Sequence, residues 1–417
     1  MSGRLVYASA KGPGVWVTDG PWLLANIEDG TGLLRHRGRF PAVQEVSASE
    51  LATAAESVAL RGRGGAGFPF ATKLRAVAER HGPREVVVNV SEGEPASYKD
   101  AALALTRPHL ILDGALLAAL AVKAGRIHVV LPGEHQKVRA VMEKAIAERA
   151  SDPVRWETRT ATSRFVAGQA QAVLQLLTGK ENLPVTAWEP EAFSGLFGRP
   201  TLLSNAETYA NLAMAWHFGT AGFASVGLPD EPGTMLMTLA GESATPMVVE
   251  VPFGTPWERI LGRAVLERPV LLGGFHGAWV PGGVLSGHVV SRVEAQELGF
   301  SLGAGIVLPL MQGACPLRET ARIVRYLAEQ SAQRCGPCMF GLPALAEAVS
   351  ALARGRDTSK RVLQLTGQLP GRGACAHPDG TVRLVVSLMR NFHDEVTAHA
   401  EGHCTFSESH RPQAVTA

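Results

Sequence analysis

An α/β domain, then a small α+β module, then a helical bundle is the fold class this sequence predicts. Three observations carry it. Two apolar β-branched runs, "REVVVNV" at 84–90 and "RIHVVLPG" at 126–133, alternate with helix-patterned segments, the rhythm of a parallel sheet with crossover helices. Past residue 232 short strand pairs and glycine turns replace that rhythm. From Cys315 onward several amphipathic runs follow one another across brief loops, as in a bundle. A chain of 417 residues exceeds one ordinary core. The expected boundaries are 1–46 for an N-terminal extension, 47–232 for the α/β domain, 233–303 for the α+β module and 304–417 for the helical domain.

The elements follow in order. The first 46 residues are rich in Gly and Pro, with scattered strand-like pieces. "SASELATAAESVAL" offers serine caps and then Leu51, Ala55 and Val58 near helical spacing. The glycine-rich "RGRGGAGFPFATKL" comes next, then the first strand, ending in the acidic loop "SEGEPASYKD". A long helix pattern runs to Gly125, expected as the glycine just past its end. After the second strand, Val138, Val141, Met142 and Ile146 line one helix face. "TMLMTLAG" and "MVVEVPFG" read as strands joined by a turn. In "TPWERILGRAV", Thr255 is the expected N-cap, Pro256 the first helical residue and Glu258 the partner in a capping box.

Bulk composition excludes several classes. A net charge of +2 with dispersed basic residues gives no electrostatic case for nucleic acid or an anionic membrane. No stretch reaches the roughly 20 apolar residues of a membrane span; "ILDGALLAALAVKAG" is interrupted by Asp113 and Lys123. The first residues lack the apolar core of a signal peptide. Five cysteines are too few for a disulfide framework at this length, so a reducing cytoplasm is the expected compartment.

Four stretches carry chemistry. Gly62, Gly64 and Gly67 satisfy G-x-G-x-x-G, but a helix pattern precedes them where the dinucleotide fingerprint needs a strand. On composition alone a turn-rich connector explains them as well. Their backbone N–H groups can nonetheless cradle phosphate, with Lys73 as counter-charge. "NVSEGEP" sets Asn89, Glu92 and Glu94 past the carboxyl end of a strand, where α/β sheets bind ligands; a solvated acidic turn is the plainer reading. "FGRPTLLSNAETYAN" places Asn205, Glu207 and Thr208 at a helix start, where an ordinary cap would also put them. Cys335 and Cys338 form C-x-x-C, with Cys375 as a distant third thiol, one short of a four-cysteine metal site. The same "CGPC" fits a thiol–disulfide pair, although that motif belongs beside a βαβ pattern and this one lies between helices.

Taken together these stretches resemble the NADH-binding flavoprotein subunit of respiratory complex I and its relatives in NAD-reducing hydrogenases and formate dehydrogenases. "LRGRGGAGFP" with Lys73 resembles the family's FMN-binding glycine loop, and "NVSEGEPASYKD" its N-A-D-E-G-E-P-G-T-x-K-D segment. "GLFGRPTLLSNAET" is similar to G-L-x-G-x-P-T-x-x-N-N-V-E-T, and "QSAQRCGPCMFG" to E-S-C-G-x-C-x-P-C-R-x-G. The resemblance implies an FMN-binding α/β domain, a β-grasp module and a helical iron–sulfur domain. It implies hydride transfer from NADH to FMN and single-electron exit through a [4Fe–4S] cluster to a ferredoxin-like or complex I-like partner subunit. Gly64, Gly65, Gly67 and Lys73 would hold the flavin phosphate; Asn89, Glu92, Asn205 and Thr208 would hold its ribityl and ring groups. Phe68 and Glu94 match positions near NADH, Gly168 keeps the glycine of the family's cofactor-binding G-E-E-T-A-L segment, and Cys335, Cys338 and Cys375 match cluster ligands.

The departures cluster on two sites. Ala332 stands where the family has its first cluster cysteine, so a [3Fe–4S] form, a substitute ligand (water, Cys315, Cys404 or His377) or a lost cluster are alternatives. Gln169 and Ala170 replace two carboxylates, "AWEP" replaces Lys-Pro-Pro-Phe, and Ser91 and Ser204 replace Asp and Asn. A non-catalytic relative that docks a partner or ligand is therefore a second reading, and a thiol oxidoreductase a third.

Overall fold

In the computed structural model, residues 3–7, 14–241 and 245–408 are described. Their strands, in chain order, are β1 Gly3–Tyr7, β2 Gly14–Thr18, β3 Glu85–Asn89, β4 Arg126–Pro132, β5 Arg155–Ala161, β6 Thr201–Asn205, β7 Thr234–Leu239, β8 Met247–Pro252, β9 Val270–Leu272, β10 Ala278–Val280 and β11 Ile306–Pro309.

The predicted parallel sheet has the order β5-β4-β3-β6, with every pair parallel. All five residues of β3 are buried, as its unbroken apolar run requires. Each of its fully buried valines contributes about 1.5–3 kcal/mol of apolar burial. The helix after β3 is in fact two, Lys99–Thr106 and Pro108–Val122, bent by 98° at Arg107. Pro108 causes the break: it lacks an N–H and disfavours helical geometry in the residue before it. Among the described residues no single helix is long and apolar enough to cross a membrane.

Two predicted caps move. Lys123, not Gly125, takes the left-handed turn (φ 56°), and the Ala124 amide bonds the Ala119 carbonyl at 2.8 Å. The capping box at Ser47 and Glu50 forms. The one expected at Thr255 does not, because that hydroxyl donates to the Pro252 carbonyl at 2.7 Å and the helix begins later, at Trp257.

The second sheet runs β1-β2-β8-β7-β11-β9-β10. It revises two expected boundaries. The segment 1–46 does not stand apart, since β2 pairs in parallel with β8. Glu250 on β8 also accepts the amides of Trp22, Leu23 and Leu24 at 3.0, 2.8 and 3.0 Å. β11 lies beyond residue 303 yet pairs with β7 and β9. The helical unit then begins at Pro316–Glu329 and continues through Leu342–Ala353, Ser359–Gln368, His377–Asn391 and His393–Ala400, around a core that includes Leu317, Val324, Leu345 and Leu384.

Candidate functional site

Asn89 and Asn205 are register partners at the carboxyl ends of the adjacent parallel strands β3 and β6. Asn89 Nδ2 donates to the Gly168 carbonyl at 2.9 Å, while its Oδ1 accepts from the Ser91 amide and hydroxyl at 3.1 and 2.7 Å. Asn89 therefore ties two loops to one strand end. Asn205 Nδ2 donates to Asp100 at 3.1–3.2 Å, and its Oδ1 accepts from the Thr208 hydroxyl at 2.5 Å. Thr208 in turn accepts the Arg63 amide at 2.9 Å, which pins the glycine loop above the strand ends.

That loop is closed by the Gly62 amide on the Phe68 carbonyl at 2.9 Å. Gly65 (φ 108°) and Gly67 (φ 63°) occupy left-handed conformations that a Cβ would strain. A Cβ on Gly67 would meet nothing within 4 Å, and one on Gly65 only the Ala304 amide nitrogen at 3.9 Å. The lip is thus open to a ligand rather than packed against protein. Phe68 is 51% exposed on the same loop. Lys73 Nζ bonds Glu191 at 2.8 Å and the Leu203 carbonyl at 3.1 Å, so a phosphate would share this cation with a carboxylate.

The acidic loop goes inward. Glu92 accepts the Ala101 amide at 2.9 Å and the Ser97 hydroxyl. Burial, then the neighbouring Asp100 charge, pushes its carboxyl up to about 7. Behind it, buried Lys99 bridges Asp100 and Glu207 at 2.8 and 2.9 Å. Burial opposes the Lys99 charge, but these carboxylates hold its ammonium above the ordinary lysine range. Sequence reasoning passed over Lys99 and Asp100; their only signal was a place at the end of the same loop motif. Glu94 Oε2 accepts the Phe275 amide at 2.8 Å, and Oε1 is buried with no protein partner. Burial raises this carboxyl to about 7. Gly274 makes the contact possible, since a Cβ there would lie 2.7 Å from Glu94 Oε2.

The thiols lie across the 165–169 loop. Cys338 sits in a π-helical turn, Pro337–Gly341, that feeds the helix Leu342–Ala353, with Cys335 just before it. Cys375 precedes the helix His377–Asn391. Cys335 and Cys375 lie near enough to Cys338 to act on its charge. Burial first, then these neighbours, pushes the Cys338 thiol up to about 12; burial also raises Cys375. The three sequence-matched cysteines therefore lie near one another, which a two-thiol exchange site does not need. Ala332 is buried in the same core as Cys338. The substitutes considered for its missing thiol point elsewhere. His377 is fully buried, its ring nitrogens committed to His276 at 3.0 Å and the Leu327 carbonyl at 2.8 Å. Cys315 and Cys404 both contact Glu395 instead.

The pocket and the thiols are stitched together. Gln169 neighbours Cys375, and the Phe165 amide donates to Gln330 at 3.3 Å. The open glycine lip and the unpaired Glu94 oxygen fit a flavin. The donor set fits an iron–sulfur cluster held by three thiolates, not one held by four cysteines. A separate groove of about 670 Å³ on the helical unit is lined by Arg318, Arg322, Arg325, Arg354 and Tyr326, none of them a predicted site residue.

Comparison with known proteins agrees with this geometry. Residues 55–214 match the model of the Nuo51 FMN-binding domain, and residues 318–399 that of the NADH-ubiquinone oxidoreductase-F iron-sulfur binding region. The F subunit of the NADH-quinone oxidoreductase of Salmonella typhimurium is 28% identical over 396 residues, covering 87% of each chain. The mitochondrial NADH dehydrogenase [ubiquinone] flavoprotein 1 of Dictyostelium discoideum is 27% identical over 370 residues, 81% of this chain and 76% of that one. A crystal structure of NAD+-reducing [NiFe]-hydrogenase in the H2-reduced state superposes with a TM-score of 0.76 at 26% identity; the match covers 85% of this chain and 63% of the hydrogenase chain. With both family regions matched in order and the same strand-end and thiol geometry behind them, this chain is a divergent member of the 51 kDa-type flavoprotein subunit family of respiratory complex I.

Proposed function

We propose that this protein is an electron-transfer flavoprotein of the NADH dehydrogenase type with a degenerate NADH site. When bound, FMN takes up two electrons as hydride and releases them singly, and an iron–sulfur cluster passes single electrons onward. The chain's own residues set the stage. The glycine loop offers backbone N–H groups to a phosphate, and Lys73 supplies charge beside it. Asn89 and Asn205 fix the loops above the sheet rather than offering free side-chain atoms. Glu94, with its carboxyl raised to about 7 and one oxygen unpaired, could hold or release a proton in the pocket. Cys335, Cys338 and Cys375 supply the thiolates. The observation that carries this reading is the 165–169 loop, held to the strand end by Asn89 on the Gly168 carbonyl at 2.9 Å and to the helical unit by the Phe165 amide on Gln330 at 3.3 Å.

The partner would be an electron-transfer subunit, of ferredoxin-like or complex I-like kind, and the compartment the cytoplasm. The test is protein purified without oxygen. Flavin absorption with iron and acid-labile sulfide, and bleaching by dithionite, support the reading. A colourless, iron-free protein refutes it and returns the chain to a docking or ligand-binding role.

A further inference from the structure

Away from the flavin pocket, four buried side chains from three parts of the helical unit meet at one point. Cys315 is the N-cap of the helix Pro316–Glu329, Glu395 and His399 lie one turn apart on the helix His393–Ala400, and Cys404 is in the loop after it. Their ligand atoms all fall within 4.8 Å of one another, and the four residues are only 2–5% exposed. Glu395 Oε1 lies 3.2 Å from Cys315 Sγ, 3.1 Å from Cys404 Sγ and 3.0 Å from His399 Nε2; Cys315 Sγ lies 3.5 Å from the same imidazole nitrogen.

We propose that these residues form a structural zinc site. A tetrahedral zinc with bonds of about 2.0–2.3 Å sets neighbouring ligand atoms about 3.3–3.8 Å apart; the separations of 3.0–3.5 Å among Glu395, His399, Cys315 and Cys404 lie close to that range, and all four atoms fall within 4.8 Å of one another. Hydrogen bonding alone explains the arrangement poorly, since two thiols and an imidazole all converge on one carboxylate oxygen. Two thiolates, an imidazole and a carboxylate are a zinc donor set, and four protein ligands without an open position mark a structural rather than a catalytic ion. Outer contacts orient the carboxylate: Glu395 Oε2 accepts the Thr405 amide at 3.0 Å and the Thr405 hydroxyl. Cys315 and Cys404 fall outside both matched family regions, 55–214 and 318–399, while Glu395 and His399 lie at the end of the second; none of the four is Cys335, Cys338 or Cys375, the cysteines matched to cluster ligands. Its role is to fasten the chain's last helices to the start of the bundle, and it stands whether or not flavin binds.

The test is metal analysis of the full chain purified without chelators. About one zinc per chain is expected, with X-ray absorption fine structure showing two sulfurs at about 2.3 Å and two nitrogen or oxygen ligands at about 2.0–2.1 Å. Cys315→Ser/Cys404→Ser should lower zinc at least about tenfold with flavin retained, whereas Cys335→Ser/Cys338→Ser should lose iron and keep zinc. Zinc unchanged in the first variant overturns the proposal. So does wild-type protein without zinc, or with iron at this position. Should the first variant be insoluble, the wild-type fine structure decides alone, and a fit without two sulfur ligands refutes the site.

Discussion

The side chain of Gln169 neighbours the sulfur of Cys375 and favours its thiolate. The residue before it, Gly168, gives its carbonyl to Asn89 at the end of β3, so one short loop spans from flavin pocket to thiol. A hydrogen-bond donor on a thiolate stabilises the more negative, reduced state of a metal–sulfur centre, and such contacts help set cluster potentials. Gln169→Ala should therefore move the cluster potential to more negative values while flavin content is unchanged. A redox titration followed by electron paramagnetic resonance checks this; an unmoved potential would show that the contact has no electronic role.

Gly67→Val should release flavin without unfolding the protein. The left-handed φ of 63° is costly for a β-branched residue, yet a Cβ there meets no protein atom within 4 Å. Any clash must come from what the loop binds. Yellow colour at wild-type occupancy in a soluble variant removes this loop from the flavin site.

Glu94 links stability to pH. Its folded carboxyl titrates near 7 against an ordinary 4.5, so between those values the folded flavin-free protein binds more protons than the unfolded chain. Stability from this group is present below about 4.5 and falls as pH rises toward 7, by at most about 3 kcal/mol. Glu94→Gln should reduce the stability difference between pH 5 and pH 8 in denaturant titrations of flavin-free protein. An equal difference in both proteins would place the Glu94 titration elsewhere.

The parts of this molecule that follow local rules were legible from the sequence. "REVVVNV" reads as a buried parallel strand, and the serines of "SASELATAAESVAL" as helix caps. What escaped depended on partners distant in the chain. Nothing local to Glu250 announces that it will hold the amides of residues 22–24, or that the first strands will join the second sheet. Lys99 becomes a central cation only because Glu207, more than a hundred residues away, folds onto it. The same holds for Glu395 and His399, whose one-turn spacing gains meaning when Cys315 arrives from the start of another helix.

NADH should bind weakly. The segment replacing the family's lysine and aromatic carries Ala187 and a Trp188 that is 93% exposed, and Gln169 offers an amide to Cys375 where the family has a carboxylate. Each missing hydrogen bond or stacking contact is worth roughly 1 kcal/mol or more. Three of them, roughly 3 kcal/mol together, make affinity about a hundredfold weaker than the family norm. Flavin bleaching by NADH should need concentrations about a hundredfold above micromolar. Full reduction at micromolar NADH would mean that other residues, with exposed Trp188 the first candidate, have taken over the role.

Restoring Ala332→Cys should complete the thiolate set. The alanine is 8% exposed, belongs to the same core as Cys338 and stands three residues before Cys335. One residue on, Gln333 holds a left-handed φ of 52°, so the loop bends there although the family's glycine is gone. A fourth sulfur on this bent loop would protect the iron that three thiolates leave exposed. Iron should rise toward about four per cluster, and the cluster should survive air longer than in the parent. Anaerobic iron and sulfide analysis, with the low-temperature magnetic signature separating three-iron from four-iron forms, measures both effects. If the substitution folds but adds neither iron nor lifetime, position 332 does not face the cluster, and the thiolate lobe is closed by a ligand from outside the cysteine motif.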